Sequence, residues 1–386
     1  MRILMIAPEP FLEPRGTPFS VYHRIQALIE LGHEVDLVTY PLGREVKLRG
    51  LNICRTPLLP FINGVRIGPS LAKVPLDALL FLTAMRRLSK RRYYYIHTHE
   101  EAGAMGVILG AIFGCKHLYD MHSDLAQQMS NFSFTRSRLL IRAVAAVQRW
   151  IVRKADVVIA ICSDLKKAAE QMAPGKPIYL IENVAVDESL PAVGEEEVER
   201  LRERLQLSDG PVLLYTGTLE HYQGIDLLLQ SAVQVLQEMP EAQYVLVGGH
   251  TPQIRRYKKK AQKLGIEQSV HFLGQRPVEE MPQYTALADI LLSPRSEGTN
   301  TPLKLYTYLR SGKPVLATSI YSHTQLLTPE TALLVEPTAE DLASGSLELL
   351  RDPQKAREIG ERAKKLADEQ YSWPAFLEKN RRAYEH

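Results

Sequence analysis

Three histidines in the first half are the groups best suited to moving a proton or ordering a sugar or phosphate. His97 and His99 close the run Tyr95-Ile96-His97-Thr98-His99, and His122 follows the next run in Tyr119-Asp120-Met121-His122-Ser123. A lone histidine in such a place is more often structural. Two strand ends delivering histidines to one edge suit a ligand site, because doubly wound sheets bind ligands beyond the carboxyl ends of their strands. The His-x-His spacing would also suit a metal on a sheet. No carboxylate or cysteine partner is evident at ligand spacing, so no metal and no cofactor are expected.

Three further segments could hold an anion. The loop after the first apolar run, residues 8–18, ends in Arg15-Gly16-Thr17-Pro18, where a glycine lets backbone amides approach a ligand at a helix start. It is not GxGxxG, and no acidic residue ends the second strand, which disfavours a nicotinamide site. In the second half, Tyr215-Thr216-Gly217-Thr218 leads through Gln223-Gly224 into a helical pattern. The string Ser293-Pro294-Arg295-Ser296-Glu297-Gly298-Thr299-Asn300-Thr301-Pro302-Leu303-Lys304 places Asn, Thr and Pro where a helix begins, with Arg295 and Lys304 beside its free N–H groups. Such a terminus suits a diphosphate.

Positioning these groups requires strands that alternate with helices. Residues 2–7, 34–40, 95–99, 117–119 and 157–161 read as buried parallel strands in the first half. Residues 212–216, 243–247, 270–273, 290–293 and 314–317 read so in the second. Helical patterns such as 21–31, 225–238 and 253–264 lie between them. The alternation restarts after a polar stretch near residues 180–190. The reading is therefore two doubly wound domains, 1–185 and 186–370, facing a central cleft, with a C-terminal helix over 371–386 that packs back on the first domain.

The chain has 386 residues and a net charge of +3. Residues 1–185 hold 24 Lys/Arg against 15 Asp/Glu, a net +9, whereas the rest hold 23 against 29, a net −6. The three cysteines are widely spaced and form no CxxC pair, which argues against a disulfide framework or a zinc cluster and for a reducing, cytoplasmic location. No apolar run reaches the roughly 20 residues of a membrane helix.

A basic face stands out between residues 125 and 155, which contain no acidic residue. Arg136 precedes Arg138, Arg142, Arg149 and Arg153, and these last four share one face of a helix at about 100° per residue. Leu139, Leu140, Val144, Val147, Trp150 and Ile151 supply its apolar side. A second basic cluster, Arg86, Arg87, Lys90, Arg91 and Arg92, runs into Tyr93-Tyr94-Tyr95. Either is a candidate for contact with anionic lipid, which places the chain peripherally on the inner face of a membrane. Nucleic acid is disfavoured, since no recognition motif accompanies the charge.

Taken in order, these pieces resemble a retaining glycosyltransferase of family 4, of GT-B fold. The resemblance rests on Gly16-Thr17, Leu31-Gly32-His33-Glu34-Val35, Ile96-His97-Thr98-His99, Ala155-Asp156-Val157-Val158, and Ile181-Glu182-Asn183. It continues through Gly217 with Gln223-Gly224, Val247-Gly248-Gly249, Phe272-Leu273-Gly274, Ala288-Asp289, and residues 301–306 with Gly312-Lys313-Pro314-Val315. It implies an α/β protein of two Rossmann-like domains that transfers a sugar from a nucleotide-sugar donor to an acceptor hydroxyl with retention and without a metal. The acceptor would be a lipid, a lipid-linked glycan or a polysaccharide precursor. His122 would contact the transferred sugar or its phosphate, with His99 beside it, and Gly16 and Thr17 would lie against the donor. The donor strip would comprise Gly217, Thr218, Gln223, Arg295, Glu297, Thr299, Asn300, Thr301, Pro302, Leu303, Lys304 and Thr307.

The sequence departs from the family here. The family's Arg and Lys after the Gly217 strand are Thr218 and Gln223, and its two glutamates fall on Thr299 and Thr307. Glu297 is the nearest carboxylate, and Arg295 and Lys304 would supply the missing positive charge. Two alternatives remain at this stage: a GT-B sugar-nucleotide epimerase, or a non-catalytic sugar-nucleotide-binding homologue.

Overall fold

A computed structural model describes the chain except residues 14–15, 60–63, 66–69, 71–72, 132–136, 186–191 and 386. Pro14, Arg15 and Arg136 thus lie outside the described residues. The chain divides into two compact units, Met1–Asn183 with Pro374–His386, and Val184–Trp373.

The N-terminal unit holds seven parallel strands: β1 Arg2–Ala7, β2 Glu34–Thr39, β3 Leu51–Arg55, β4 Tyr95–His99, β5 Lys116–Met121, β6 Val157–Ala160 and β7 Ile178–Leu180. Their order is β3-β2-β1-β4-β5-β6-β7. The C-terminal unit holds six: β8 Val212–Thr216, β9 Gln243–Val247, β10 Val270–Gly274, β11 Ile290–Ser293, β12 Val315–Thr318 and β13 Leu333–Val335, in the order β10-β9-β8-β11-β12-β13. The central strands carry continuous apolar runs because helices cover both sheet faces; every residue of β1 after Arg2 is buried.

The order reverses between β1 and β4 in the first sheet and between β8 and β11 in the second. Each reversal opens a crevice at the carboxyl ends of the strands. His97 and His99 close β4, His122 lies just beyond β5, and the Gly217 and Arg295 loops lie just beyond β8 and β11.

Strands β3, β7 and β13 were not legible in the sequence. All three lie at sheet edges and none is buried throughout, as in Leu51-Asn52-Ile53-Cys54-Arg55, so they lack the continuous apolar signal of a central strand. The first helix, Gly16–Glu30, begins five residues before the expected start at 21 and places Gly16 at its first turn. Gly32 then ends that segment at φ +82°, a conformation a side chain disfavours.

Candidate functional site

In the N-terminal unit the histidines form one buried cluster around Asp120. The imidazoles of His97 and His99, two apart on β4 and so on one face, stack at 4.6 Å. His99 Nδ1 lies 3.0 Å from His122 Nε2, and His122 Nε2 lies 3.3 Å from Asp120 Oδ1. His97 Nε2 is 3.4 Å from Asp120 Oδ2, which also accepts a 3.0 Å hydrogen bond from Arg24 Nε. Arg24 projects from the first helix and donates through Nη1 to Asn380 Oδ1 at 2.8 Å, with its guanidinium over the Phe376 ring. The Tyr384 hydroxyl bonds His97 Nδ1. Phe376, Asn380 and Tyr384 belong to the helix Trp373–Tyr384, most of which lies in the N-terminal unit.

The electrostatics follow from burial and this one carboxylate. Burial pushes the imidazolium forms of His97 and His99 down, so both are neutral. Burial alone would also depress His122, but Asp120, with help from Glu100, raises it above the usual histidine range. Burial would raise Asp120, yet Arg24, His122 and His97 hold it well below the carboxylate range. Glu100, at the end of β4, sits at φ +50°, a strained conformation for a non-glycine residue. Ser123 Oγ donates to its carboxylate at 2.6 Å, and burial pushes that carboxyl up to about 7.

The absence of a carboxylate near the His-x-His pair, expected from the sequence, is corrected here. Asp120 comes from the neighbouring strand, so sequence spacing could not reveal it. His97, His99 and Asp120 bring ligand atoms within 4.8 Å of one another. The Arg24 guanidinium pairs with the same carboxylate at 3.0 Å, so the group includes an ion pair.

Gly16 is exposed in the first helical turn, and a Cβ there would meet nothing within 4 Å. Thr17 follows, half-buried. The helix thus starts at an uncrowded glycine, with no acidic residue in its first turn.

In the C-terminal unit, Gly217 leaves β8 at φ +140° and its N–H bonds the Val247 carbonyl at 2.9 Å. A Cβ on the neighbouring Gly248 would stand 1.9 Å from the Gly217 oxygen, so both glycines are required for the loops to close over the strand ends. Lys304 starts the helix Lys304–Ser311, capped by Leu303 without any side-chain hydrogen bond. Its Nζ is buried 3.9 Å from the centre of the Tyr215 ring, has no hydrogen-bond partner among the described residues, and points within 3.8 Å of where a Gly217 Cβ would be. Burial, with Arg295 adding to it, pushes this ammonium well below its ordinary range. Thr218 Oγ1 and Gln223 Oε1 are also buried without partners. Three residues of the expected donor strip thus hold unsatisfied polar atoms, which a bound polar ligand would satisfy.

Arg295 differs from the sequence expectation of a free phosphate ligand. Its Nε donates to the Glu297 carbonyl at 2.7 Å and its Nη1 to the Asn300 carbonyl at 2.8 Å, while the guanidinium lies over Tyr222. It shapes its own loop. Glu297 is exposed, Thr299 accepts a bond from Gln325, and Thr301 and Thr307 are buried, with Pro302 half-buried between the loop and the helix.

Residues 15–183 match the family described as Glycosyl transferase 4-like domain, and residues 197–366 match Glycosyl transferases group 1. Both halves of the chain are glycosyltransferase domains. The chain is 24% identical over 409 residues to the D-inositol 3-phosphate glycosyltransferase of Corynebacterium aurimucosum, covering 97% of this chain and 93% of that protein. It is 29% identical over 182 residues to the GDP-mannose-dependent alpha-(1-6)-phosphatidylinositol monomannoside mannosyltransferase of Mycolicibacterium smegmatis, a match that spans 45% of this chain and 47% of that relative. Among solved structures, Anabaena HepE in complex with UDP-glucose superposes with a TM-score of 0.77 at 18% identity, covering 100% of this chain and 99% of that one. That likeness shows the fold, which is GT-B.

In this glycosyltransferase the sequence reading missed Arg24, Glu100, Asn380 and Tyr384. A signal for Arg24 existed. It sits among Val21, Ile25 and Leu28 on the buried stripe of the first helix, where an unpaired charge is not tolerated. Asn380 and Tyr384 gave none, because their partners lie more than 280 residues away.

The basic helix is Arg138–Lys154, and Arg138, Arg142, Arg149 and Arg153 are all exposed. Its expected apolar side divides in two. Ile151, with Val152 and Gln148, faces the unit, whereas Leu139 (80% exposed), Leu140, Val147 and Trp150 face outward beside the arginines. The helix Gly103–Phe113 packs against it and exposes Ile108 and Ile112. No described helix is long and apolar enough to cross a membrane.

Proposed function

We propose that the protein transfers a sugar from a nucleotide-sugar donor to a hydroxyl of a lipid or lipid-linked glycan, with retention of anomeric configuration and without a metal. The observation that carries this reading is the buried Nζ of Lys304, at the helix start beyond β11, which has no hydrogen-bond partner among the described residues. A desolvated ammonium is unfavourable unless an anion meets it, and the start of the helix Lys304–Ser311, which has no side-chain cap, favours the same charge. A donor diphosphate satisfies both. It also explains how the site dispenses with the family's Arg and Lys, which are Thr218 and Gln223 here.

In this reading Lys304 and the helix amides stabilise the diphosphate as it leaves. His122, whose proton Asp120 holds more firmly than in a free imidazole, contacts the transferred sugar or its phosphate, with His99 fixing its orientation. With Thr299 and Thr307 in place of the family's two glutamates, Glu297 is the nearest carboxylate to the ribose. GDP-mannose, on which the Mycolicibacterium relative depends, and UDP-glucose, bound in the HepE structure, are the first two donors to test.

The acceptor side belongs to the N-terminal unit. Four exposed arginines flanked by Leu139, Val147 and Trp150 suit the boundary between anionic headgroups and acyl chains, and fit peripheral attachment at the cytoplasmic face of a membrane. The relative that acts on a phosphatidylinositol mannoside supports a lipid-borne acceptor.

The test is calorimetric titration with UDP-glucose and GDP-mannose, followed by incubation with vesicles containing phosphatidylinositol. Radiolabelled sugar should appear in the lipid fraction, and the product anomer should match the donor's. Donor isomerised without acceptor would favour an epimerase, and binding without turnover a non-catalytic homologue.

A further inference from the structure

The last helix of the chain contributes two polar side chains to the histidine cluster, although nothing in its sequence resembles a site. Asn380 and Tyr384 are four apart on the helix Trp373–Tyr384 and therefore share a face. Asn380 is held by its own helix, donating Nδ2 to the Phe376 carbonyl at 2.7 Å, and presents Oδ1 to Arg24. Tyr384 is buried, packs edge-on against Tyr95 at 5.2 Å, and aims its hydroxyl at His97 Nδ1.

We propose that Tyr384 and Asn380 are positioning residues that set the proton arrangement of the His97–Asp120–His122 cluster. The inference rests on the reading of His122 as the sugar-facing group. Asp120 is ionised and can only accept, so the proton of neutral His97 belongs on Nε2, and Nδ1 is left to accept from the Tyr384 O–H. That proton faces Asp120 Oδ2, 3.4 Å from Nε2. Arg24, anchored by Asn380, covers the same oxygen. The two donors partly neutralise Asp120 and leave Oδ1 facing His122. The last turns of the chain thus govern how strongly Asp120 holds the proton of His122. The other charged or titratable groups around His122 are His99 on β4, Glu100 after it, and Arg24 from the first helix.

Removing the Tyr384 hydroxyl frees His97 to carry its proton on Nδ1. Asp120 then loses a donor, its charge is less compensated, and His122 holds its proton more tightly. The experiment is NMR of histidine labelled with nitrogen-15 in the full-length wild type, Tyr384→Phe and Asn380→Ala, with His122 assigned through His122→Gln. In the wild type, His97 should show the Nε2–H tautomer. In Tyr384→Phe, His97 should move towards a mixture and the His122 midpoint should rise by about half to one pH unit. Asn380→Ala should raise the His122 midpoint by less, and it carries the test if Tyr384→Phe does not fold. An unchanged His122 midpoint in folded variants overturns the proposal. The titration needs no substrate, so it is independent of the transfer reaction. If the midpoint shifts while no nucleotide sugar is turned over, it is the functional reading that fails. If transfer occurs, the matching limb of its pH–rate profile should shift in the same direction, with KM for the donor unchanged.

Discussion

Each unit buries a cation near the carboxyl ends of its strands, and the two are handled in opposite ways. Arg24 in the N-terminal unit bonds Asp120 and Asn380 and lies over Phe376. Lys304 in the C-terminal unit lies over Tyr215 with no hydrogen-bond partner among the described residues. The first charge is internally compensated and orders a cluster. The second is left for a ligand. The surfaces differ too. Among the described residues, eleven of the twelve large exposed hydrophobics belong to the N-terminal unit and only Tyr321 to the other. The half with the net positive charge is the half that shows apolar side chains to solvent, a pairing that suits an anionic lipid surface and not a nucleotide.

Substitutions at the two cations should separate them most sharply. Arg24→Met leaves Asp120 buried without its main partner and should destabilise the N-terminal unit by about 3–5 kcal/mol, read as a large fall in melting temperature. Lys304→Met should leave thermal stability unchanged or slightly raised. Equal destabilisation by both changes would dissolve the contrast.

Replacing Arg138, Arg142, Arg149 and Arg153 together by Gln should weaken attachment to anionic vesicles by about 3–4 kcal/mol, roughly 1 kcal/mol per charge, measured by cosedimentation at low salt. The same variant should bind UDP and GDP as the wild type does. Retained sedimentation would count against the lipid surface.

Lys304→Met should weaken UDP or GDP binding by about 1.5–3 kcal/mol, roughly 10- to 100-fold. Because burial favours the neutral amine in the free protein, binding an anion should take up a proton. Affinity should therefore rise as pH falls, and calorimetry in two buffers of different ionisation enthalpy should report the uptake.

Acid should act first on the N-terminal unit. Burial holds His23 at about 4 and His117 at about 3, so both are neutral when folded and bind a proton on unfolding below about pH 6.5. Their contribution is present above that pH and lost as it falls, on the order of 2 kcal/mol each by pH 5. His122 works the other way, since its raised value adds stability below pH 6.5 that disappears as pH rises through it. In the C-terminal unit only His323 is held comparably low, at about 3. Two melting transitions, the N-terminal one shifting more between pH 7 and 5, would bear this out.

The smallest effect should come from Arg295→Ala, about 1 kcal/mol, with a few-fold loss of UDP binding through a loosened loop. A loss as large as that of Lys304→Met would restore Arg295 as a direct phosphate ligand.

Much of the fold was legible because central parallel strands are apolar throughout. Residues 2–7, 95–99, 212–216, 243–247 and 290–293 coincide with β1, β4, β8, β9 and β11. Lys304 and the histidines were legible from their places at strand ends and a helix start. The compensation of charge was not. Whether Arg295 reaches outward or ties its own loop depends on where the Glu297 and Asn300 carbonyls turn, and local composition does not encode that.

The amino-acid sequence by itself determined the two α/β halves, the opposite charges they carry, the arginine face and the positions of the chemically able groups. These are properties of periodicity and composition, set by neighbours within a turn or a strand. Only the tertiary structure decided that Asp120 faces the histidines from the adjacent strand and that Arg24 covers it. Only there do Asn380 and Tyr384 reach a cluster formed some 260 to 360 residues earlier in the chain. Desolvation and pairing are set by what packs against a group in space, so a basic side chain becomes either a settled ion pair or an amine that takes up its proton with an anion.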